Sequence, residues 1–161
     1  MSQEIGTSAP DKHIFVSYRS LEAEFALRLA TDLRNAGVAI WLDRLDGIRG
    51  GTDWRKEIQQ ALRSSAALIA VLTPDYLRSD YCMRELATAD ELKIPIFPVL
   101  LRDVPVADRP LEIIRLQYVD FQNWREGSIH QNSLEKLLEI IRHQAAQQVG
   151  SRPDPEARYL N

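Results

Sequence analysis

Tyr81 and Glu85 stand one helical turn apart in Ser79-Asp80-Tyr81-Cys82-Met83-Arg84-Glu85-Leu86, which sets an aromatic ring beside a carboxylate near the start of an expected helix. A fixed carboxylate stabilises positive charge developing on a ligand, and the ring offers that ligand a flat apolar wall. With a helix start near Ser79, the residues Cys82, Leu86 and Ala89 fall on one stripe, and Tyr81, Glu85, Thr88 and Leu92 share a second stripe about 100° away. The first stripe is the one that meets a core. The second therefore sets Glu85 at the rim between core and cleft.

Other chemistries find fewer residues. A single cysteine excludes an intrachain disulfide, and His13, His130 and His143 are too scattered for a zinc-like spacing, so no metal site is expected. Cys82 lies on the apolar stripe and reads as a packing residue. A formal net charge of -3 supplies no basic field for a polyphosphate backbone, so nucleic acid is not an expected partner. Met1 to Lys12 is polar, without the apolar segment of a signal peptide, and reads as a flexible lead-in. No later apolar run approaches the ~20 residues that span a bilayer. A soluble, cytoplasmic chain with no membrane partner is the expectation.

The 161 residues, 45% hydrophobic and 27% charged, suit one globular domain with a core of its own. Short continuous apolar runs occur at Ile14-Phe15-Val16, Val38 to Leu42, Ala66 to Leu72 and Ile94 to Leu101. Strands apolar on both faces belong in a covered parallel sheet. Between them, Phe25, Leu29 and Leu33 mark one helix, and Trp54, Ile58, Ala61 and Leu62 a second. Ser20 is placed to cap the first helix, Asn35-Ala36-Gly37 to stop it, Thr52 or Asp53 to cap the second, and Ser79 or Asp80 the third. Leu116 to Phe121 alternates as an edge strand, and Leu134, Leu137, Leu138 and Ile141 give an amphipathic helix over Ser133 to Gln148.

This alternation predicts a flavodoxin-like, doubly wound α/β fold with a five-stranded parallel sheet and a ligand crevice at the carboxyl ends of its strands. Pro95 and Pro98 stand against the fourth strand, because each removes a ladder donor. Gly150 to Pro155 reads as a linker. The expected organisation is a lead-in over 1–12, a domain over 13–149 and a linker or tail over 150–161.

Ile14-Phe15-Val16-Ser17-Tyr18-Arg19, the loop Trp41 to Gly51, the helix start Asp53-Trp54 and the segment Ser79 to Leu86 together resemble a Toll/interleukin-1 receptor (TIR) domain, from about His13 to about Ile141. The resemblance implies the TIR fold. It leaves function divided, since some members only assemble signalling complexes and others, many of them bacterial or plant proteins, cleave NAD. In the cleaving members a glutamate of the third helix is catalytic and matches Glu85. An aromatic residue one turn earlier, often tryptophan, matches Tyr81.

For that reaction NAD+ is the substrate and no further cofactor is required. Nicotinamide leaves as a neutral heterocycle, so the difficulty lies in the cationic ribose, beside which one carboxylate suffices. Tyr81 and Phe15 are expected to line the cleft, and Arg19 to pair with a phosphate or ribose group. Trp54 opens the second helix at a packing position and is counted with the substrate-facing candidates. Asp43 and Asp46 are expected to bond backbone amides within their loop, where Gly47, Gly50 and Gly51 provide the mobility of a gate. The residues leave open whether water or the substrate's own adenine attacks the ribose.

The expected function is thus an NAD+ hydrolase or cyclase active in defence when copies associate, with a sensor domain beyond the linker. The rival is a non-enzymatic module that scaffolds signalling through TIR–TIR contacts. A phosphoacceptor receiver would need acidic residues after the first strand, where Ser17-Tyr18-Arg19 stands, and a flavin carrier would need a phosphate loop there.

Overall fold

The computed structural model describes residues 12–42 and 54–151. Its strands are β1 (Ile14–Ser17), β2 (Ile40–Leu42), β3 (Ala67–Leu72), β4 (Ile96–Leu100) and β5 (Val119–Asp120). They pair in parallel in the order β2-β1-β3-β4-β5, the doubly wound sheet that the apolar runs predict. The helices are α1 (Ala23–Asn35), α2 (Trp54–Arg63), α3 (Pro74–Leu77), α4 (Asp80–Glu91) and α5 (Gly127–Ser151).

Successive strand residues point to opposite faces, and each face has its own core. Ile14, Val16, Ile69, Val71 and Val99 meet Phe25, Leu29 and Leu33 of α1 and Leu134, Leu137, Leu138 and Ile141 of α5. Phe15, Leu68, Ala70, Leu72 and Leu100 meet Ile58, Ala61 and Leu62 of α2 and Cys82, Leu86 and Ala89 of α4. Burial on both sides is why the strands read as unbroken apolar runs. Each fully buried aliphatic side chain contributes about 1.5–3 kcal/mol relative to exposure.

The prolines leave β4 intact. Pro95 lies just before the strand, and its carbonyl accepts from the Leu68 amide of β3, whereas the Leu100 carbonyl accepts from the Phe121 amide beside β5. Backbone groups alternate in direction along a strand, so Pro98, like Leu100, faces the β5 side. Pairing there begins only at Val99 with Val119, one residue beyond the missing donor. The expected edge strand over Leu116 to Phe121 shortens accordingly to Val119–Asp120, and Leu116 and Tyr118 stay exposed.

Several helix ends differ from expectation. Ser20 caps nothing: a 3-10 turn over Ser20–Glu22 precedes α1, whose N-cap is Glu22, without a side-chain bond. The turn is closed by the backbone bond from Glu22 to Arg19, and the Glu22 carboxylate is occupied by Arg102 at 3.0 Å. Ala36-Gly37 ends α1 as expected, with Gly37 at φ 92°, where a side chain would be strained. The sequence pattern does not foretell α3, which has Thr73 as its cap, 3.0 Å from the Tyr76 amide, and Pro74 in its first turn.

α5 begins at Gly127, ahead of Ser133, because the inward residue of its early turns is His130, which breaks the apolar pattern. That ring is 1% exposed and is bonded through Nε2 to Asp32 of α1 at 2.8 Å. Gly150 and Ser151, expected in the linker, close the same helix. Residues 152–161 of the expected tail lie outside the described residues, as does the lead-in up to Asp11. Among the described residues no helix is long and apolar enough to cross a membrane.

Candidate active site

Ser17 ends β1 on the face that carries Phe15, two residues earlier. β3 ends at Leu72, and the Thr73 cap turns the chain into α3, which brings Tyr76 back over the sheet. Ser79 then caps α4, its Oγ accepting from the Cys82 amide at 3.1 Å, as the sequence predicts. One turn later the helix presents Glu85 to β1. Ser17 Oγ donates to Glu85 Oε1 at 2.6 Å, and the Ser17 and Tyr76 hydroxyls are 2.8 Å apart.

Ser17 and Tyr76 are fully buried and Glu85 is 4% exposed, so the carboxylate does not face bulk solvent. A buried carboxylate is costly unless hydrogen-bonded, and the short hydroxyl bond at Oε1 offsets part of that cost. The site lies between β1 and β3, where the chain order reverses. In open α/β sheets that switch point, at the carboxyl ends of the strands, is where ligand crevices form.

Glu85 borders a cleft of about 140 Å³ between α2 and α4. Tyr81, Arg84 and Thr88 of α4 line it with Glu85, and Arg55 and Gln59 of α2 stand opposite over an apolar floor of Ile58 and Leu62. The second stripe read from the sequence is therefore the cleft-facing stripe, apart from Leu92, which is exposed at the end of the helix. Cys82, Leu86 and Ala89 are buried in the core, as expected.

The other sequence-derived candidates scatter. Tyr81 is half-buried beside Glu85 in the cleft. Phe15 has no exposure and stacks on Trp41 with ring centroids 4.9 Å apart, so it supports the sheet from within the core and does not form a cleft wall. Arg19 follows β1, partly buried, outside the residues that line the cleft; its Nε has no hydrogen-bond partner among the described residues. Trp54 opens α2, but its side chain lies outside the described residues, as do Asp43, Asp46 and Gly50.

Ser17, Tyr76, Arg55 and Arg84 are site residues that sequence periodicity does not single out. A serine closing an apolar strand was the available signal for the first, and the Thr73-Pro74 helix start for the second. Beyond the strand ends, Arg102 pairs with Glu22. Its pKa is raised further by the hydrogen bond it donates to Glu22 and then by that carboxylate's charge, with burial acting the other way. Among the described residues no group of three or more His, Cys, Asp or Glu side chains could hold a metal ion.

The family model of the TIR domain matches residues 14–138. The chain is 32% identical over 88 residues to the probable 2′ cyclic ADP-D-ribose synthase BdTIR of Brachypodium distachyon, an overlap covering 53% of this chain and 39% of that protein. It is 36% identical over 81 residues to the NAD(+) hydrolase PdTIR of Paracoccus denitrificans, covering 50% of this chain and 27% of the relative. The matched region is thus well under half of each relative's length. The TIR domain of the Toll-related receptor TRR-2 from Hydra magnipapillata has the same fold, with a TM-score of 0.63 at 22% identity, covering 80% of this chain and 97% of that one.

Proposed function

The chain belongs to the TIR domain family, and from that premise we propose that it cleaves the nicotinamide–ribose bond of NAD+, with Glu85 as the catalytic carboxylate. The observation that carries this reading is the placement of Glu85, held by Ser17 at the switch point of the sheet and lining a cleft beside an aromatic ring. Relatives named for NAD+ hydrolysis and cyclic ADP-ribose synthesis support it.

In this mechanism the pyridinium nitrogen takes the bonding pair of its bond to the ribose, and nicotinamide leaves neutral without needing a proton. The ribose carbon becomes oxocarbenium-like. Glu85 stabilises that charge or holds the ribose hydroxyls in reactive orientation. Water then adds to the carbon and releases its proton, giving ADP-ribose; attack by a group of the same molecule gives a cyclic isomer. Tyr81 supplies the stacking wall, and Arg19 a cation for phosphate or ribose. NAD+ is substrate, and no other cofactor enters.

A cleft of about 140 Å³ is smaller than the ~300–1,000 Å³ of ordinary ligand pockets. That supports a site completed when copies associate, and we place the protein in cytoplasmic, bacterial-style defence signalling under a C-terminal sensor domain. The rival scaffold reading draws on Val106 and Leu111, which are 59% and 85% exposed between β4 and β5 and would suit a contact surface.

Incubating the chain with NAD+ at high protein concentration separates the two. Sustained nicotinamide release, reduced at least ~100-fold in Glu85→Gln, is the expected result. Tyr81→Ala weakens turnover less than Glu85→Gln and leaves the fold intact. Silence under forced self-association leaves the scaffold reading in possession.

A further inference from the structure

We infer that Ser17 and Tyr76 are positioning residues for Glu85, joined in a one-way hydrogen-bond chain that runs from Tyr76 through Ser17 to the carboxylate and fixes its direction in the cleft. The inference rests on the reading of Glu85 as the catalytic group. A hydroxyl has one hydrogen to give. Ser17 gives its hydrogen to Glu85 Oε1 at 2.6 Å, so the bond of 2.8 Å between the two hydroxyls takes its hydrogen from Tyr76. Each bond polarises the next in the same sense, which strengthens the hold on an ionised carboxylate.

Both hydroxyls sit on rigid elements. β1 is paired with β2 on one side and with β3 on the other, where Ser17 lies in register with Ala70. Tyr76 is fixed from both ends of α3, by Thr73 Oγ1 on its amide at 3.0 Å and by the Ser79 amide on its carbonyl at 3.1 Å. A side chain supported in this way holds a reacting group more closely than one on a loop.

The core around them does not call for polarity. Phe15, Leu72, Cys82 and Leu86 are in the same cluster as Tyr76, and alanine and phenylalanine would fill the places of Ser17 and Tyr76 without a buried hydroxyl. Replacing both members of a buried hydrogen bond by apolar groups of similar shape is often nearly neutral for stability. The Ser17 hydroxyl therefore finds its role at Glu85, and the Tyr76 hydroxyl reaches that carboxylate through Ser17. Neither reaches substrate, since both residues have no exposure.

The test measures kcat and KM for nicotinamide release, with thermal melting alongside, in the whole chain. Ser17→Ala should lower kcat roughly tenfold with KM within about twofold, because binding is untouched while orientation is lost. Tyr76→Phe should lower kcat about threefold, and the loss in the double variant should fall well short of the product of the two single losses, since Tyr76 bonds to Ser17 and Ser17 to Glu85. Ser17→Thr, which keeps the hydroxyl, should recover most of the turnover.

Full kcat in Ser17→Ala beside a dead Glu85→Gln overturns this inference alone, as do independent, multiplying losses in the double variant. If Ser17→Ala fails to fold, Tyr76→Phe decides: unchanged kcat in a folded variant overturns the chain. A wild-type protein that releases no nicotinamide overturns both this inference and the reading beneath it.

Discussion

The two faces of the sheet bury their apolar residues alike but use buried polar atoms differently. On the α1 and α5 side, the polar pair is His130 Nε2 with Asp32 Oδ2 at 2.8 Å, enclosed by Phe121 and Trp124, whose rings are set edge-on to Phe25. On the α2 and α4 side, Tyr76, Ser17 and Glu85 form a line at the carboxyl end of β1, and its last member borders a cleft. The first arrangement joins two helices and continues to Arg28, 3.8 Å from Asp32 on the outer side of α1. The second leads from the core to a place that a ligand can reach. Buried polarity next to a switch-point cleft is thus a stronger pointer to chemistry than buried polarity between helices.

The contrast is sharpest if activity and stability separate by face. Glu85→Gln should remove activity by two orders of magnitude or more with little change in melting temperature, because the amide keeps the shape of the side chain and can still accept from Ser17. Leu29→Ala, on the opposite face at a position with no exposure, should cost about 3 kcal/mol and lower the melting temperature by roughly 10 °C. Its turnover per folded molecule should be unchanged. A large activity loss in that variant at a temperature where it is fully folded would erase the distinction between the faces.

A smaller effect tests the polar tie. Asp32→Ala leaves a buried imidazole nitrogen without its acceptor, at a cost of roughly 1–3 kcal/mol in urea unfolding. Asp32→Asn should recover part of that. The smallest effect lies at the cap of α4. Ser79→Ala should cost about 1 kcal/mol and Ser79→Gly only a few tenths, measured by the same unfolding curves, since Ser79 Oγ accepts from the Cys82 amide. Equal losses in the two would show that the hydroxyl is not acting as a cap.

Much of this was legible along the chain. The runs around Phe15, Leu68 and Val99 announced strands buried on both faces, and the Ser79 cap set the phase that carries Tyr81, Glu85 and Thr88 to one side of α4. The misses have specific causes. Register beyond Pro98 left β5 with two residues although Leu116 to Phe121 alternates well. His130 hid the start of α5, because a polar ring satisfied by a distant aspartate looks, in sequence, like a solvated residue. Phe15 shares the face of Ser17 and so looks, in sequence, like a cleft residue, but it lies two residues short of the strand end, stacked on Trp41 inside the core.

The sequence by itself determined the order of the elements, the apolar stripes that bury them and the helical phase of Glu85, since all of these follow from local periodicity and capping. Only the tertiary structure decided that Ser17 and Tyr76 hold Glu85, because those contacts close over 68 and 59 residues of chain. Periodicity fixes which way a side chain points. Which distant group meets it there depends on strand order and register, and the packing of the whole sheet sets both.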